Sequence, residues 1–126
     1  MSRTSVDLDV VRKLALELTD VEESTAWGAR AFKVGGRLFA CEAMHSSAEA
    51  GSLMVRIDFD LRTELLATEP DVYYLTPHYE QYPAVLVRLS RIRRATLRKL
   101  LGTAHAFIGS QPAARPRKRR KRTRST

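Results

Sequence analysis

Hydrophobic and polar positions along the chain follow two periods, one typical of helices and the other typical of strands. From Ser5 to Asp20 the apolar residues recur three and four positions apart, which predicts an amphipathic helix with Ser5 as its N-cap. The stripe consists of Val11, Leu14, Ala15 and Leu18. The polar segment that follows, as far as Gly28, breaks this period and predicts a loop.

A β-hairpin is predicted next. Residues 29–34 and 37–43 are strand-like and flank a Gly-Gly pair, which can adopt the positive φ angles of a tight two-residue turn. This register pairs Phe32 with Phe39, so that both rings lie on one face of the sheet. The residues expected on the opposite face are Lys33, Leu38, Ala40 and Glu42.

A third strand is predicted over residues 53–59, where apolar and polar residues alternate strictly. The side chains expected to point inward are Leu53, Val55, Ile57 and Phe59. Those expected to point outward are Met54, Arg56 and Asp58.

The remaining elements complete an α+β pattern. Residues 61–69 predict a short helix that ends before Pro70, and residues 72–76 and 84–90 predict two strands. Residues 94–109 predict a last helix with the stripe Leu97, Leu100, Leu101, Ala104 and Ile108. The order α-β-β-β-α-β-β-α predicts a largely antiparallel sheet with helices packed on it.

Charge divides the chain into two parts. The net charge is +8, from 22 basic and 14 acidic residues. The excess lies at the C-terminal end, in Arg115, Arg117, Lys118, Arg119, Arg120, Lys121, Arg122 and Arg124. We therefore expect a folded domain over residues 1–110 and a disordered basic tail over residues 111–126.

The tail favours nucleic acid as a partner, DNA more than RNA, because its cations can neutralise up to eight phosphates with a salt slope of at most about −7. A basic patch on the domain, Arg91, Arg93, Arg94 and Arg98, leads towards it through one helix. No apolar anchor accompanies the tail, so membrane binding is disfavoured. The alternative is a solubilising tail with incidental affinity for anions.

Several classes of protein are disfavoured by the composition. No apolar run approaches the length of a membrane span, and the N-terminus lacks the apolar stretch of a signal peptide. We therefore expect a cytoplasmic protein, which a DNA-binding role would associate with the nucleoid. The single cysteine, Cys41, lies in an apolar run where an inert buried thiol is expected. Neither a CxxC nor an HxxxH spacing occurs, so we expect no metal and no cofactor.

The segment 73–83, YYLTPHYEQYP, contains all four tyrosines of the chain. It admits three interpretations: a rigid structural loop between two prolines, a recognition loop offering His78, Tyr79 and Tyr82, or a catalytic site centred on His78. Trp27 is either a core residue or a further stacking surface. No nucleophile, phosphate-loop or paired-carboxylate motif occurs, so an enzyme is not expected.

A family resemblance rests on four segments in this order: VRKLALELTDVEESTAWG, AFKVGGRLFA, RIDF and YYLTPHYEQYPAVLVRL. Together they resemble the MmcQ/YjbR family of small bacterial proteins, over about residues 6 to 109. The resemblance implies an α+β "double-wing" fold and a DNA-binding role, and it brings no catalytic residues with it. The basic tail is not part of the family pattern.

Two functional hypotheses follow from these observations. The first is non-specific DNA binding through phosphate contacts of the tail and the basic patch, without base readout. The alternative is a protein-interaction module whose loop over residues 77–83 holds a partner polypeptide and whose tail is accessory.

Overall fold

The computed structural model describes residues 6–26 and 29–110, which form three helices and one six-stranded antiparallel sheet. The α+β class predicted from the sequence is confirmed. In chain order the elements are α1 (Leu8–Leu16), β1 (Val21–Ala26), β2 (Ala29–Val34), β3 (Arg37–Glu42), β4 (Ser52–Arg56), α2 (Phe59–Thr68), β5 (Tyr73–Tyr74), β6 (Ala84–Arg88) and α3 (Arg94–Ser110). The strands lie in the order β1-β2-β3-β4-β6-β5.

Strand β1 is an addition to the predicted order, because the segment after α1 was expected to be a loop. It pairs with β2 along its whole length, from Val21 opposite Val34 to Ala26 opposite Ala29. As an edge strand it gains its backbone hydrogen bonds from one neighbour, and polar side chains are common in edge strands. A polar sequence therefore forms a strand here without the alternation that marks a half-buried one.

Two aspartates set where the first two helices begin. The Asp7 carboxylate accepts a hydrogen bond of 3.1 Å from the Val10 N–H, so Asp7 is the N-cap of α1. The predicted cap, Ser5, is therefore wrong, and it lies outside the described residues. Asp58 caps α2 in the same way, so this helix begins at Phe59. Phe59 is 47% exposed to solvent. The inward strand position predicted for Phe59 is wrong because this cap ends the extended segment.

The hairpin turn is confirmed, and its register contains a bulge. Gly35 and Gly36 have φ angles of 59° and 79°, the left-handed values that the tight turn requires. Next to the turn, Lys33 lies opposite Leu38, but one residue further from the turn Phe32 lies opposite Ala40 and not opposite Phe39. The extra residue turns Phe39 and Ala40 towards the same core, so the outward position predicted for Ala40 is wrong.

Helices α1 and α3 cover one face of the sheet. The predicted stripe of α3 is confirmed, with Leu97, Leu100, Leu101, Ala104 and Ile108 all buried. They pack with Phe32, Phe39 and the inward residues of β4 and β6. His105 supports this layer, since its Nε2 donates a hydrogen bond of 2.7 Å to the carbonyl oxygen of Thr19. Among the described residues, no helix is long and apolar enough to cross a membrane.

The opposite face of the sheet carries a smaller buried cluster, Ala31, Cys41, Met54, Ala84 and Leu86. No residue of a described helix belongs to this cluster. Two loops approach it instead, residues 43–51 between β3 and β4 and residues 75–83 between β5 and β6. This arrangement leaves an opening in the sheet face at which a site can form.

Candidate functional site

A cleft of about 530 Å³ lies on this second face of the sheet. Its volume falls within the range of small-molecule sites in proteins. The lining is an apolar floor with an aromatic rim and two charged residues: Ala29, Leu38, Cys41, Glu42, Met44, His45, Met54, Arg56, His78, Tyr79, Tyr82 and Ala84. The three residues predicted for a recognition loop, His78, Tyr79 and Tyr82, are thus brought together at one opening.

Arg62 of α2 fixes the loop over residues 75–83. Its Nη1 donates hydrogen bonds to the carbonyl oxygens of Tyr82 at 2.8 Å and Glu80 at 3.0 Å, and lies 3.4 Å from that of Ala84. Its guanidinium also lies over the Phe59 ring, 4.7 Å from the centroid. A cationic donor shared among backbone carbonyls holds the loop in one conformation.

The other loop is anchored by Tyr74 and Arg88. The Tyr74 hydroxyl accepts a hydrogen bond of 2.7 Å from the Glu49 N–H and lies 2.6 Å from the Ser52 hydroxyl. Arg88 donates two hydrogen bonds to the Glu49 carboxylate, at 2.9 and 2.8 Å, and covers the Tyr74 ring. Arg88 lowers the pKa of Glu49 from its ordinary value through these hydrogen bonds.

The two loops contact each other directly. The rings of His45 and His78 stack with centroids 3.6 Å apart, and the Ser47 and Thr76 hydroxyls lie 2.8 Å apart. The Ser47 N–H donates to Nδ1 of His45 at 3.0 Å, so this nitrogen acts as an acceptor. The loops therefore form one continuous wall of the cleft.

His78 lies among aromatic rings. Its nearest ring partners are His45, Tyr79 at 4.8 Å and Tyr82 at 6.5 Å between centroids. Burial raises the pKa of the Tyr79 hydroxyl, and a hydrogen bond with the His45 backbone partly offsets that effect. Within the described residues no carboxylate is hydrogen-bonded to His78, so this part of the wall offers stacking surfaces more than an acid–base pair.

Arg56 and Cys41 lie together in the cleft. The Nε atom of Arg56, at the end of β4, is buried and has no hydrogen-bond partner among the described residues. Burial raises the pKa of the Cys41 thiol to about 11, and the positive charge of Arg56 acts against that rise. A thiol of this kind is protonated at neutral pH, in agreement with the inert cysteine expected from the sequence.

Sequence reasoning missed three residues of this site: His45, Arg56 as a cleft residue, and Arg62. All three lie on segments distant in sequence from the loop over residues 75–83. His45 and Arg62 contact that loop, and Arg56 lines the same cleft. The outward position predicted for Arg56 from strand alternation was the one available signal, and its side chain does lie on the open face.

A basic corner lies elsewhere on the molecule, at the start of α3. Arg91, Arg93 and Arg94 are exposed and form no ion pair with any described residue. Arg98 lies one turn further along α3 and forms an ion pair with Glu17, the C-cap residue of α1, with 2.9 Å between Nη2 and Oε1. The patch predicted from the sequence thus consists of three cations without ion pairs and one paired cation.

The other predicted site residues lie outside the described residues. They are Trp27, Arg115, Arg117, Lys118, Arg119, Arg120, Lys121, Arg122 and Arg124. Their proposed roles remain predictions from the sequence.

By its fold, the protein belongs to the class of α+β proteins with helices on one face of an antiparallel sheet. It is similar to the crystal structure of the Deinococcus radiodurans protein DR2400, which carries a DUF419 family domain, with a TM-score of 0.71 and 20% identity. That match covers 85% of this chain and 81% of the other. At this level of identity the likeness concerns the fold.

The YjbR family profile matches residues 16–107, and the chain belongs to this family. Relatives include uncharacterized proteins of Mycobacterium bovis and Mycobacterium tuberculosis, 47% identical over 47 residues. That segment covers 37% of this chain and 36% of each relative. The chain thus matches about a third of the length of these relatives.

Proposed function

We propose that this YjbR family protein binds nucleic acid, DNA in preference to RNA, through contacts with the phosphate backbone. The observation that carries the proposal is the basic corner, where Arg91, Arg93 and Arg94 are exposed and unpaired among the described residues. Cations at such a corner can contact phosphates without first breaking an internal ion pair.

The position of this corner adds to its affinity for anions. The first turn of α3 contains no acidic residue, so its free N–H groups and the positive end of the helix dipole lie beside the arginines. The positive charges of the arginines and the positive end of the helix dipole repel one another. A bound phosphate relieves this repulsion and accepts hydrogen bonds from the backbone N–H groups. Arg98 joins such a contact only by exchanging Glu17 for a phosphate.

The basic tail is proposed to supply further phosphate contacts from the other end of α3. At 1.5 Å per residue, this helix of 17 residues separates the corner from the start of the tail by about 25 Å. No described helix presents a set of base-reading side chains, so we expect little sequence preference. We expect the protein to act in the cytoplasm, in association with the nucleoid.

The test is a fluorescence-anisotropy titration against duplex DNA, RNA and single-stranded DNA at several salt concentrations. Truncation to residues 1–112 should remove most of the affinity and flatten the salt dependence. In the full chain, the double variant R93Q/R94Q should weaken binding several-fold and reduce the salt slope by about 1 to 2.

The matched control is R12Q/K13Q, which removes two charges from α1. It should weaken binding less than R93Q/R94Q does, because long-range charge alone is screened at moderate salt. Absence of binding by the full chain would contradict the proposal. Equal effects of the two double variants would contradict the assignment of the corner.

A second candidate, a protein-interaction module, is favoured by two exposed side chains at the rim of the cleft. Met44 is 59% exposed and Tyr82 is 41% exposed, on loops that are held firmly in place. Rigid, exposed apolar anchors are typical of protein interfaces. The test is capture of a partner protein after nuclease treatment. Capture that is lost in Y82A and retained in R93Q/R94Q supports this candidate.

A further inference from the structure

Arg56 is the one feature of the cleft that the fold does not account for. A buried donor without a partner costs free energy, and native structures rarely keep one. The other charged residue of the lining, Glu42, forms no ion pair with it; its carboxylate accepts a hydrogen bond of 3.2 Å from the backbone N–H of Arg30. The floor beside Arg56 is apolar, with Met54 and Ala84 buried.

We propose that the cleft binds a small-molecule carboxylate with an aromatic body, and that Arg56 donates hydrogen bonds to the carboxylate. A guanidinium matches a carboxylate in geometry, and the pair is strong in a partly buried site. The aromatic body lies on the floor at Met54 and against the rings of His78 and Tyr79. Thioether and ring surfaces of this kind favour aromatic ligands.

The charged residues of the lining favour a ligand with a single negative charge. Arg56 is the only Lys or Arg among the described lining residues, and Glu42 contributes a carboxylate to the same lining. A phosphate group or a polynucleotide carries more negative charge and needs more donors than this, and Glu42 repels it more strongly than it repels a single carboxylate. The site is therefore distinct in chemistry from the basic corner at the start of α3.

The walls of the cleft are fixed before a ligand binds. Arg62 holds one loop, the Arg88–Glu49 pair holds the other, and the His45–His78 stack joins them. Preorganisation of this kind lowers the entropic cost of binding. The volume of about 530 Å³ suits a small molecule.

The test is isothermal titration calorimetry of the full chain with two aromatic acids, phenylacetate and indole-3-acetate, and their neutral amides. At moderate salt at least one acid should bind saturably, and about tenfold or more tightly than its amide, since the charged hydrogen bond is lost in the amide. This comparison uses the unaltered protein and does not depend on the folding of any variant.

Variants then assign the contact. R56M should abolish the preference for the acid over the amide, R56K should retain part of it, and R12M, which removes a surface charge on α1, should leave it unchanged. Circular dichroism checks that each variant is folded. R93Q/R94Q should bind the acid normally, so failure of the nucleic-acid proposal and failure of this one are distinguishable.

Three outcomes overturn the proposal. One is the absence of saturable binding by both acids, and another is equal affinity for acid and amide. The third is displacement of the acid by inorganic phosphate at comparable concentration, which indicates general attraction of anions by the basic tail.

Discussion

Arg62 donates a hydrogen bond of 2.8 Å from its Nη1 to the backbone carbonyl oxygen of Tyr82. The contact joins the middle of α2 to the loop over residues 75–83, which forms one wall of the cleft. Helix α2 has no fully buried residue, so this polar contact and three partly buried leucines connect it to the rest of the domain. A helix at the periphery thereby supports one wall of the cleft from behind, although no residue of this helix lines the cleft.

R62M should destabilise the protein by about 1–3 kcal/mol, because the loop carbonyls lose a charged donor. Urea unfolding measures the change, and hydrogen exchange should show faster exchange of the amides in residues 75–83. The control is R12M, which breaks the exposed Arg12–Glu23 ion pair of 2.7 Å and should cost less than about 1 kcal/mol. Equal losses in the two variants would show that Arg62 does not hold the loop.

The Arg88–Glu49 pair should make stability depend on pH. Arg88 lowers the pKa of Glu49 below its ordinary value of 4.5, so the folded state favours the ionised carboxylate. The contribution of the pair is therefore present above about pH 4.5 and is lost as the pH falls through the lower folded-state pKa. The measurement is the free energy of unfolding of wild type and E49Q between neutral and acidic pH.

Wild type should be the more stable of the two at neutral pH, and the difference should shrink below about pH 4.5. A difference that stays constant into the acid range contradicts the pairing. The exposed position of Glu49 means that salt should also reduce the difference.

Cys41 should react slowly with thiol reagents in the folded protein. Its pKa of about 11 leaves roughly one thiolate in a thousand at pH 8, and its side chain is buried. Because the chain has one cysteine, labelling with iodoacetamide followed by mass spectrometry is unambiguous. Labelling should become fast in denaturant; fast labelling without denaturant contradicts the burial of this thiol.

Particular elements show how far the sequence predicts the fold. The stripe of α3 was predictable because its buried residues follow the helical period over several turns. Strand β1 was not, since an edge strand stabilised by backbone pairing needs no hydrophobic alternation. The bulge at Phe39 was also missed, because a single extra residue changes the register without changing the composition.

The candidate site was predictable in part. Histidine, tyrosine and proline in one short segment marked His78, Tyr79 and Tyr82, and all three line the cleft. Their neighbours His45 and Arg56 come from other strands and loops, and sequence spacing carries no information about such contacts. An arginine at an outward strand position looks the same in sequence whether it lies in water or in a cleft.

Gly102 is a position where one methyl group should stabilise the protein. It lies within α3, and a Cβ atom added there meets nothing within 4 Å. G102A should raise the free energy of unfolding by about 0.5–1 kcal/mol, because alanine loses less backbone entropy in a helix. G36A is the opposite control: its φ of +79° is strained for alanine, so that variant should lose about 1–2 kcal/mol.

Arg56 should be a residue whose removal stabilises the ligand-free protein. Its Nε is buried without a partner among the described residues, and methionine retains an unbranched side chain while removing the unsatisfied donor. R56M should therefore raise the free energy of unfolding by about 1 kcal/mol in urea titrations.

Saturating indole-3-acetate or phenylacetate should then reverse the order of stability, because a ligand that binds the folded state raises the stability of wild type far more than that of R56M. Thermal unfolding with and without the acid measures both effects. A loss of about 1 kcal/mol or more in R56M without ligand would mean that Arg56 stabilises the fold itself. If R56M is more stable than wild type without ligand and less stable with an aromatic acid, Arg56 serves ligand binding at the expense of stability.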